Sequence, residues 1–236
     1  MLCNIAELLT EVPEAGGLAS RCRDYVSQKT GEPDIVIRAE NYRTDRYADT
    51  VPADVVAYME SAYQFYTSLL DFDGFYLHSS AVALDGNGYL FSGPCGMGKS
   101  THTRLWQQTF GAAAQVFNDD KPALRRIDGR WYAYGTPWCG KDGININMKV
   151  PVAGICFLRQ GTENRIRIMS RQEAVGKVIS QTLRRFRDQK MLDRLLVQVD
   201  RIVREVPVYE LVNRPEEAAV RLSHETMRST LREDQT

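Results

Sequence analysis

The sequence predicts a mixed α/β domain whose β-sheet is itself mixed, flanked by helices near both ends of the chain. Three observations carry this. Apolar, β-rich runs concentrate in the middle of the chain and helical periodicity towards its end. The run Gly74–Leu84 is followed by a DGNG turn at 85–88 and by the apolar Tyr89–Ser92, a hairpin signal. A glycine-rich string then leads from that second run into a helical stretch, so the strand feeding it has an antiparallel neighbour rather than only parallel ones.

Taken in order, residues 1–50 are the least legible part of the N-terminal portion, 1–73. Leu2–Val12 reads as a strand, Leu18–Gln28 as helical, and Asp34–Arg38 as a short strand. Val51–Leu70 reads as a helix, with Pro52 suited to its first turn. Its apolar residues Val55, Val56, Tyr58, Met59, Tyr63, Phe65, Tyr66 and Leu69 cover one broad side, the pattern of core packing. In the central portion, 74–160, the hairpin and glycine-rich string are followed by a helix to about Phe110 and a strand at Ala114–Phe117. A second hairpin turns at Asp128-Gly129, between Pro122–Ile127 and Trp131–Tyr134, and Val150–Leu158 is a buried strand. In 161–236, helices are expected at Ser170–Arg187, at Gln189–Val203 and from Pro215, with a strand at Val206–Leu211. There is no internal repeat or long linker, so 1–236 reads as a single domain.

Composition narrows the function classes. With 236 residues, 43% hydrophobic and 25% charged, the chain can bury a core without staples. Thirty basic residues balance thirty acidic ones, so global charge points to neither nucleic acid nor a membrane. No stretch is apolar for the roughly 18 residues that a bilayer span needs. Met1–Thr10 has no basic region and carries Glu7, which predicts no signal peptide. Cys3, Cys22, Cys95, Cys139 and Cys156 are odd in number and scattered, as expected of free thiols in a cytoplasmic protein without structural zinc. Charge is uneven along the chain: six basic and fourteen acidic residues in the first 98, against twelve and five in 159–204. That asymmetry means either an anion-facing C-terminal half or solvated helix faces.

The chemistry lies in the glycine-rich string. Gly93-Pro94-Cys95-Gly96-Met97-Gly98-Lys99-Ser100 matches G-x-x-x-x-G-K-[ST] in full, between a strand and a helix. Glycines let successive N–H groups turn towards a phosphate, and the helix that follows presents its positive end. Lys99 would reach the β- and γ-phosphates and Ser100 would ligate Mg²⁺, with Thr101 next in the helix. About twenty residues on, Asp119 and Asp120 follow a strand, where such enzymes place the acid that holds Mg²⁺. Side chains alternate along a strand, so one carboxylate faces the metal while the other faces the nucleophile. A second string, Gly135–Lys141, repeats G-x-x-x-x-G-K but ends in Asp142, with no hydroxyl for magnesium. It fails as a phosphate loop and instead brings Lys141 and Trp138 towards a ligand, Trp138 either stacking there or packing inside. His78 lies on the strand that pairs with the feeding strand, beside the phosphates or in the core; His102 reads as solvent-facing.

From His78 to Ser100 the run HSSAVALDGNGYLFSGPCGMGKS resembles the catalytic domain of HPr kinase/phosphorylase, and Asn118-Asp119-Asp120 is similar to that family's Ala-Asp-Asp. The resemblance spans residues 74–160. It implies the mixed-sheet fold shared with the nucleotide-binding part of phosphoenolpyruvate carboxykinases. It further implies ATP and Mg²⁺ as cofactors, Gly93–Thr101 at the nucleotide, Ser100 and Asp120 on the metal, Asp119 as catalytic carboxylate, and His78 beside the phosphates. Thr101 stands where the family has Glu, and Gly135–Lys141 replaces its glycine-rich signature. These departures point to a smaller HPr-kinase-like protein rather than a true HPr kinase. The expected reaction is transfer of the γ-phosphoryl group to a hydroxyl of a peptide or protein serine. A small-metabolite alcohol or sugar as acceptor, or a non-catalytic nucleotide-binding protein, are the alternatives. The expected partners are a nucleotide and that acceptor, without nucleic acid or membrane; self-assembly, seen in related kinases, stays open.

Overall fold

The computed structural model describes residues 1–14, 16–183 and 185–233. The N-terminal run is a hairpin rather than one strand: β1 (Leu2–Ile5) and β2 (Leu8–Glu11) pair antiparallel around Ala6 and Glu7, both at positive φ (52° and 64°). Such a turn normally recruits Gly or Asn. Here tertiary bonds hold it: Glu7 accepts from Lys149 Nζ at 2.8 Å and from Tyr134 Oη at 2.7 Å. The stretch expected to be helical to Gln28 is a short α1 (Gly16–Arg21) and a 3-10 turn, after which Val26 bridges to Cys3. β3 (Ile35–Val36) adds to β2 in parallel.

In α2 (Ala53–Ser68), Pro52 is the N-cap rather than the first helical residue. The buried face includes polar Glu60, Ser61 and Gln64, because each has inward work. Gln64, for instance, brackets the Arg38 backbone, donating to its carbonyl at 2.9 Å and accepting from its N–H at 3.0 Å. Val55 and Met59, counted as core in the periodicity, are 43% and 42% exposed as a result.

The expected Gly74–Leu84 strand divides into β4 (Gly74–Tyr76) and β5 (Ser79–Leu84). At the break, the His78 N–H donates to the Gln181 carbonyl (2.7 Å) and leaves the ladder, while Ser79 stays in it opposite Ser92 with its own N–H donating to the Asp120 carbonyl (3.1 Å). His78 therefore sits just before the strand, not on it. β5 turns at Asp85-Gly86 into its antiparallel partner β6 (Asn87–Ser92), followed by α3 (Lys99–Phe110) and β7 (Gln115–Asn118). β8 (Ala123–Ile127) and β9 (Arg130–Tyr134) form the second hairpin as expected, around Asp128-Gly129.

The long β10 (Lys149–Gln160) joins two regions of sheet. Its first residues pair antiparallel with β9, and beyond a bulge at Val152/Gly154 it runs parallel to β6. Pro151, which has no N–H to donate, lies next to that switch. β11 (Arg165–Ile168) was not anticipated; it pairs antiparallel with β12 (Val208–Asn213), which itself runs parallel to β10. The sheet is thus mixed, with β6 inside it rather than at an edge.

α4 (Arg171–Ser180) starts on a Ser170/Glu173 capping box and stops short of the expected Arg187. The chain leaves it to bond the β4–β5 break, Thr182 Oγ1 donating to the Tyr76 carbonyl at 2.6 Å. Arg184, inside the expected helix, lies outside the described residues. α5 (Gln189–Glu205) and α6 (Glu217–Glu233) complete the chain. Alternation along β6 serves both faces: Tyr89 and Phe91 pack with Trp106, Val220 and Met227, while Leu90 packs with Phe65, Phe117 and Ile155.

Part of the charge asymmetry is met by ion pairs. Arg194 and Arg201 meet Asp71 and Asp73 from the acidic half, and Arg167 lies between Glu173 and Glu210. These three arginines are paired on the solvated surface, as the helix-face alternative expects. Among the described residues no helix is long and apolar enough to cross a membrane.

Candidate functional site

β6 delivers the chain into Gly93–Gly98, and three glycines there take positive φ: Gly93 (146°), Gly96 (79°) and Gly98 (94°). At Gly96 and Gly98 an added Cβ would meet nothing within 4 Å. The backbone angle, not crowding, demands glycine there, and the space over the loop is open. α3 then begins with no side chain capping its first turn and no acid in that turn. Its first N–H groups and its positive end are left for an anion.

Lys99 is 8% exposed, and its ammonium folds back onto the carbonyls of Gly93 (2.9 Å) and Pro94 (3.3 Å). Burial lowers its pKa, opposed by the Asp120 carboxylate. Facing the loop stand the two aspartates at the end of β7. Asp119 is 7% exposed; burial raises its pKa, against the 2.6 Å bond that its Oδ1 accepts from the Gly140 N–H. A Cβ on Gly140 would lie 2.8 Å from Asp119 Oδ2, so that bond requires glycine.

Asp120 behaves oppositely. Burial pushes its pKa up, but His78 and Lys121 outweigh that and bring it down to about 2. Asp120 Oδ1 lies 3.1 Å from His78 Nε2 and Oδ2 pairs with Lys121 Nζ. His78 Nδ1 is in turn 3.1 Å from Gln181 Oε1.

Asn118 underlies both carboxylates. Fully buried, it accepts at Oδ1 from the N–H groups of Asp120 (3.1 Å) and Lys121 (2.8 Å), and donates from Nδ2 to the carbonyls of Thr136 (3.1 Å) and Trp138 (3.4 Å). One amide thereby fixes the aspartate turn to the 136–140 loop. Asn118→Ala is expected to cost roughly 2–4 kcal/mol of stability, because several buried groups lose their partner together. A denaturation midpoint like that of the unaltered protein would contradict this.

One cleft gathers His78, Cys95, Gly96, Gly98, Lys99, Ser100, Thr101, Asp119, Asp120 and Lys141. Of the remaining loop residues, Pro94 lines a hollow next to it and Met97 another on its far side. Gly93 holds Lys99. Lys141 is exposed at the rim and has no partner among the described residues. Trp138 is not at the cleft: it is fully buried, stacked 4.7 Å from Phe65, its Nε1 donating to Ser61 Oγ at 3.0 Å. His102 is not solvent-facing either. It is buried against Phe91 and Trp106, and desolvation lowers its pKa to about 4.

Sequence reasoning gave no such role to Asn118, Gly140, Gln181 or the Arg104–Asp142 ion pair at the cleft. The second glycine string was a signal for Gly140, read for the wrong reason. Its glycines serve close backbone approach, a Cβ at Gly135 falling 1.7 Å from the Ile146 carbonyl oxygen.

The cleft is the centre of a row of hollows. On one side, Gly96, Gly98 and Thr101 are shared with a hollow that reaches Gln160, Asn213 and Pro215. On the other, His78, Cys95 and Asp120 are shared with a hollow lined by Tyr76, Lys121, Gln181 and Thr182. Tyr76 and Lys121 continue from there into a third, aromatic hollow.

Among solved structures, the HPr(Ser) kinase/phosphatase from Coxiella burnetii is similar at a TM-score of 0.38 and 12% identity, covering 68% of this chain and 99% of that one. No family profile matches the chain, and no curated protein matches it.

Proposed function

We propose that the chain is an ATP- and Mg²⁺-dependent kinase that transfers the γ-phosphoryl group to a hydroxyl. The observation that carries this reading is the sharing of one cleft by an uncapped, glycine-rich helix start with its lysine and by two carboxylates of opposite character. Asp119, with its raised pKa and one oxygen held by Gly140, suits a proton acceptor. Asp120, ionised and flanked by His78 and Lys121, suits a cation ligand.

The residues present fit magnesium. Among the described residues no cluster of three or more His, Cys, Asp or Glu forms a metal cage. Mg²⁺ instead prefers one or two hard protein oxygens plus phosphate and water, which Ser100 and Asp120 beside the loop would supply. When bound, the ion neutralises charge on the β- and γ-oxygens.

The chain's own residues do the remainder. The loop and first-turn N–H groups, with Lys99, orient the phosphates and offset their charge. Asp119 orients the acceptor hydroxyl and takes its proton. The acceptor oxygen forms a bond to the γ-phosphorus as the bond from that phosphorus to the β-bridging oxygen breaks. The electron pair of the broken bond stays on ADP. His78 acts through Asp120, as a positioning residue braced by Gln181.

Cys95 offers a direct test of the loop, since it is exposed and the other four cysteines are buried. Saturating ATP with Mg²⁺ is expected to slow alkylation of Cys95 by at least about tenfold under native conditions, as bound ligand takes the free state away. An unchanged alkylation rate would place the nucleotide elsewhere. Nucleotide protection without phosphate transfer to any of a broad panel of hydroxyl acceptors would mean a binder rather than a kinase.

A further inference from the structure

We propose that the third hollow is the acceptor's specificity pocket, and that it takes one aromatic or branched aliphatic group carried by the molecule whose hydroxyl is phosphorylated. The inference rests on the kinase reading above and deepens it. Three observations carry it.

The first is continuity. The hollow, about 190 Å³, is joined to the phosphate cleft through the Tyr76, Lys121 and Asp120 walls, whereas the hollow at Asn213 and Pro215 meets the cleft through other residues, Gly96, Gly98 and Thr101. A nucleoside lying towards Asn213 and Pro215 would leave its terminal phosphate facing this side. The volume admits about one side-chain-sized group, well below the roughly 300–1,000 Å³ of a pocket that swallows a whole ligand. An acceptor would thus anchor here by one group while its hydroxyl stays in the cleft.

The second is the chemistry of the walls. Met59, Tyr63, Tyr76 and Leu183 give an apolar, aromatic surface. The polar groups set into it are already satisfied: Glu60 accepts from Tyr47 Oη (2.8 Å) and the Arg43 N–H (3.1 Å), and the Tyr66 hydroxyl donates to the Lys121 carbonyl. Among the described residues no unpaired buried group there calls for a polar partner, so selectivity favours an apolar one.

The third is Met59. It is 42% exposed at the wall of this hollow, because the polar buried face of α2 turns it outward. An unbranched, adaptable side chain at an open apolar wall suits contact with a second molecule. Arg185, exposed at the hollow, lies against the Tyr47 hydroxyl beside Glu60 and so is spoken for as well.

The test is an acceptor series with ATP and Mg²⁺. Heptapeptides with a central serine that differ only in Phe, Leu, Ala or Lys at one position are compared, with the position moved from one to three residues on either side of serine. A second arm uses small primary alcohols with and without a phenyl group. Met59→Trp fills the hollow from its exposed wall while leaving the phosphate cleft intact. For the unaltered protein, the Phe or Leu acceptor in at least one arm is expected to exceed its Ala or phenyl-free counterpart by about tenfold or more in kcat/KM, the usual worth of a filled apolar pocket. Met59→Trp should abolish that preference and keep turnover of the poorer acceptor. The arm that shows the preference tells a peptide from a small molecule.

Transfer without preference, or a preference that survives in Met59→Trp, overturns the pocket and leaves the kinase reading standing. Absence of transfer to every acceptor, with Cys95 still protected by ATP, overturns the kinase reading and the pocket's function as an acceptor site with it.

Discussion

Asp119→Asn is expected to lower phosphoryl transfer by roughly 10²–10⁴-fold, the worth of a general base, with nucleotide affinity nearly unchanged. The amide keeps an oxygen for the Gly140 N–H, so the 2.6 Å contact survives while the proton acceptor is lost. The pH profile supplies a second reading of the same group. Burial raises the Asp119 pKa, assisted by the neighbouring charges of Asp120 and Asp142 and opposed by the Gly140 N–H. A base must be ionised, so turnover should fall as pH drops through a value above that of an ordinary aspartate. The acid limb should vanish from the residual activity of Asp119→Asn. If that variant turns over at the unaltered rate, or if it loses Mg²⁺ dependence instead, Asp119 is not the base.

Lys99→Ala is expected to fail differently. On the proposed reading the ammonium would contact phosphate in both the ground state and the transition state, so binding and turnover should fall together. Nucleotide affinity should weaken roughly 10- to 100-fold, the worth of a charged hydrogen bond, and transfer by a further 10²–10³-fold or so. Because Lys99 also serves the Gly93 and Pro94 carbonyls, thermal melting must accompany the assay. Lys99→Arg keeps the charge in a site only 8% exposed, where a planar guanidinium cannot take the place of a compact ammonium. Low activity in both variants with melting preserved is the expected pattern. Normal nucleotide affinity in Lys99→Ala would remove the lysine from the site.

What the sequence makes legible depends on whether the physical demand is local. The Asp85-Gly86 and Asp128-Gly129 turns need positive φ and carry letters that tolerate it, so both hairpins could be read. The Ala6-Glu7 turn has the same geometry with no such letters, because Lys149 and Tyr134 hold it from more than a hundred residues away. The glycine-rich string at 93–100 is legible because the phosphate chemistry proposed for it fixes residue types at fixed spacing. Gly135 and Gly140 imitate that spacing for a different reason, the nearness of Ile146 and Asp119, and no local pattern distinguishes the two. Gln181 is silent in the sequence, since its partner His78 lies 103 positions away. The aromatic hollow is hidden for a related reason: periodicity assigns Met59 to the core, and only the partners of Glu60 and Gln64 show why it is not there.

Lys121 gives the cleft its own resident counter-ion. Two adjacent, largely buried carboxylates would repel each other if left bare, and such a site would lean on a divalent cation merely to stay shut. Here an ammonium from the next residue along sits against Asp120, its N–H anchored on Asn118 and its carbonyl on Tyr66. The resting protein is thereby self-neutralised at Asp120. On the proposed kinase reading, magnesium would be a requirement of turnover rather than of folding, and the chain would wait, intact and uncommitted, when the ion is scarce.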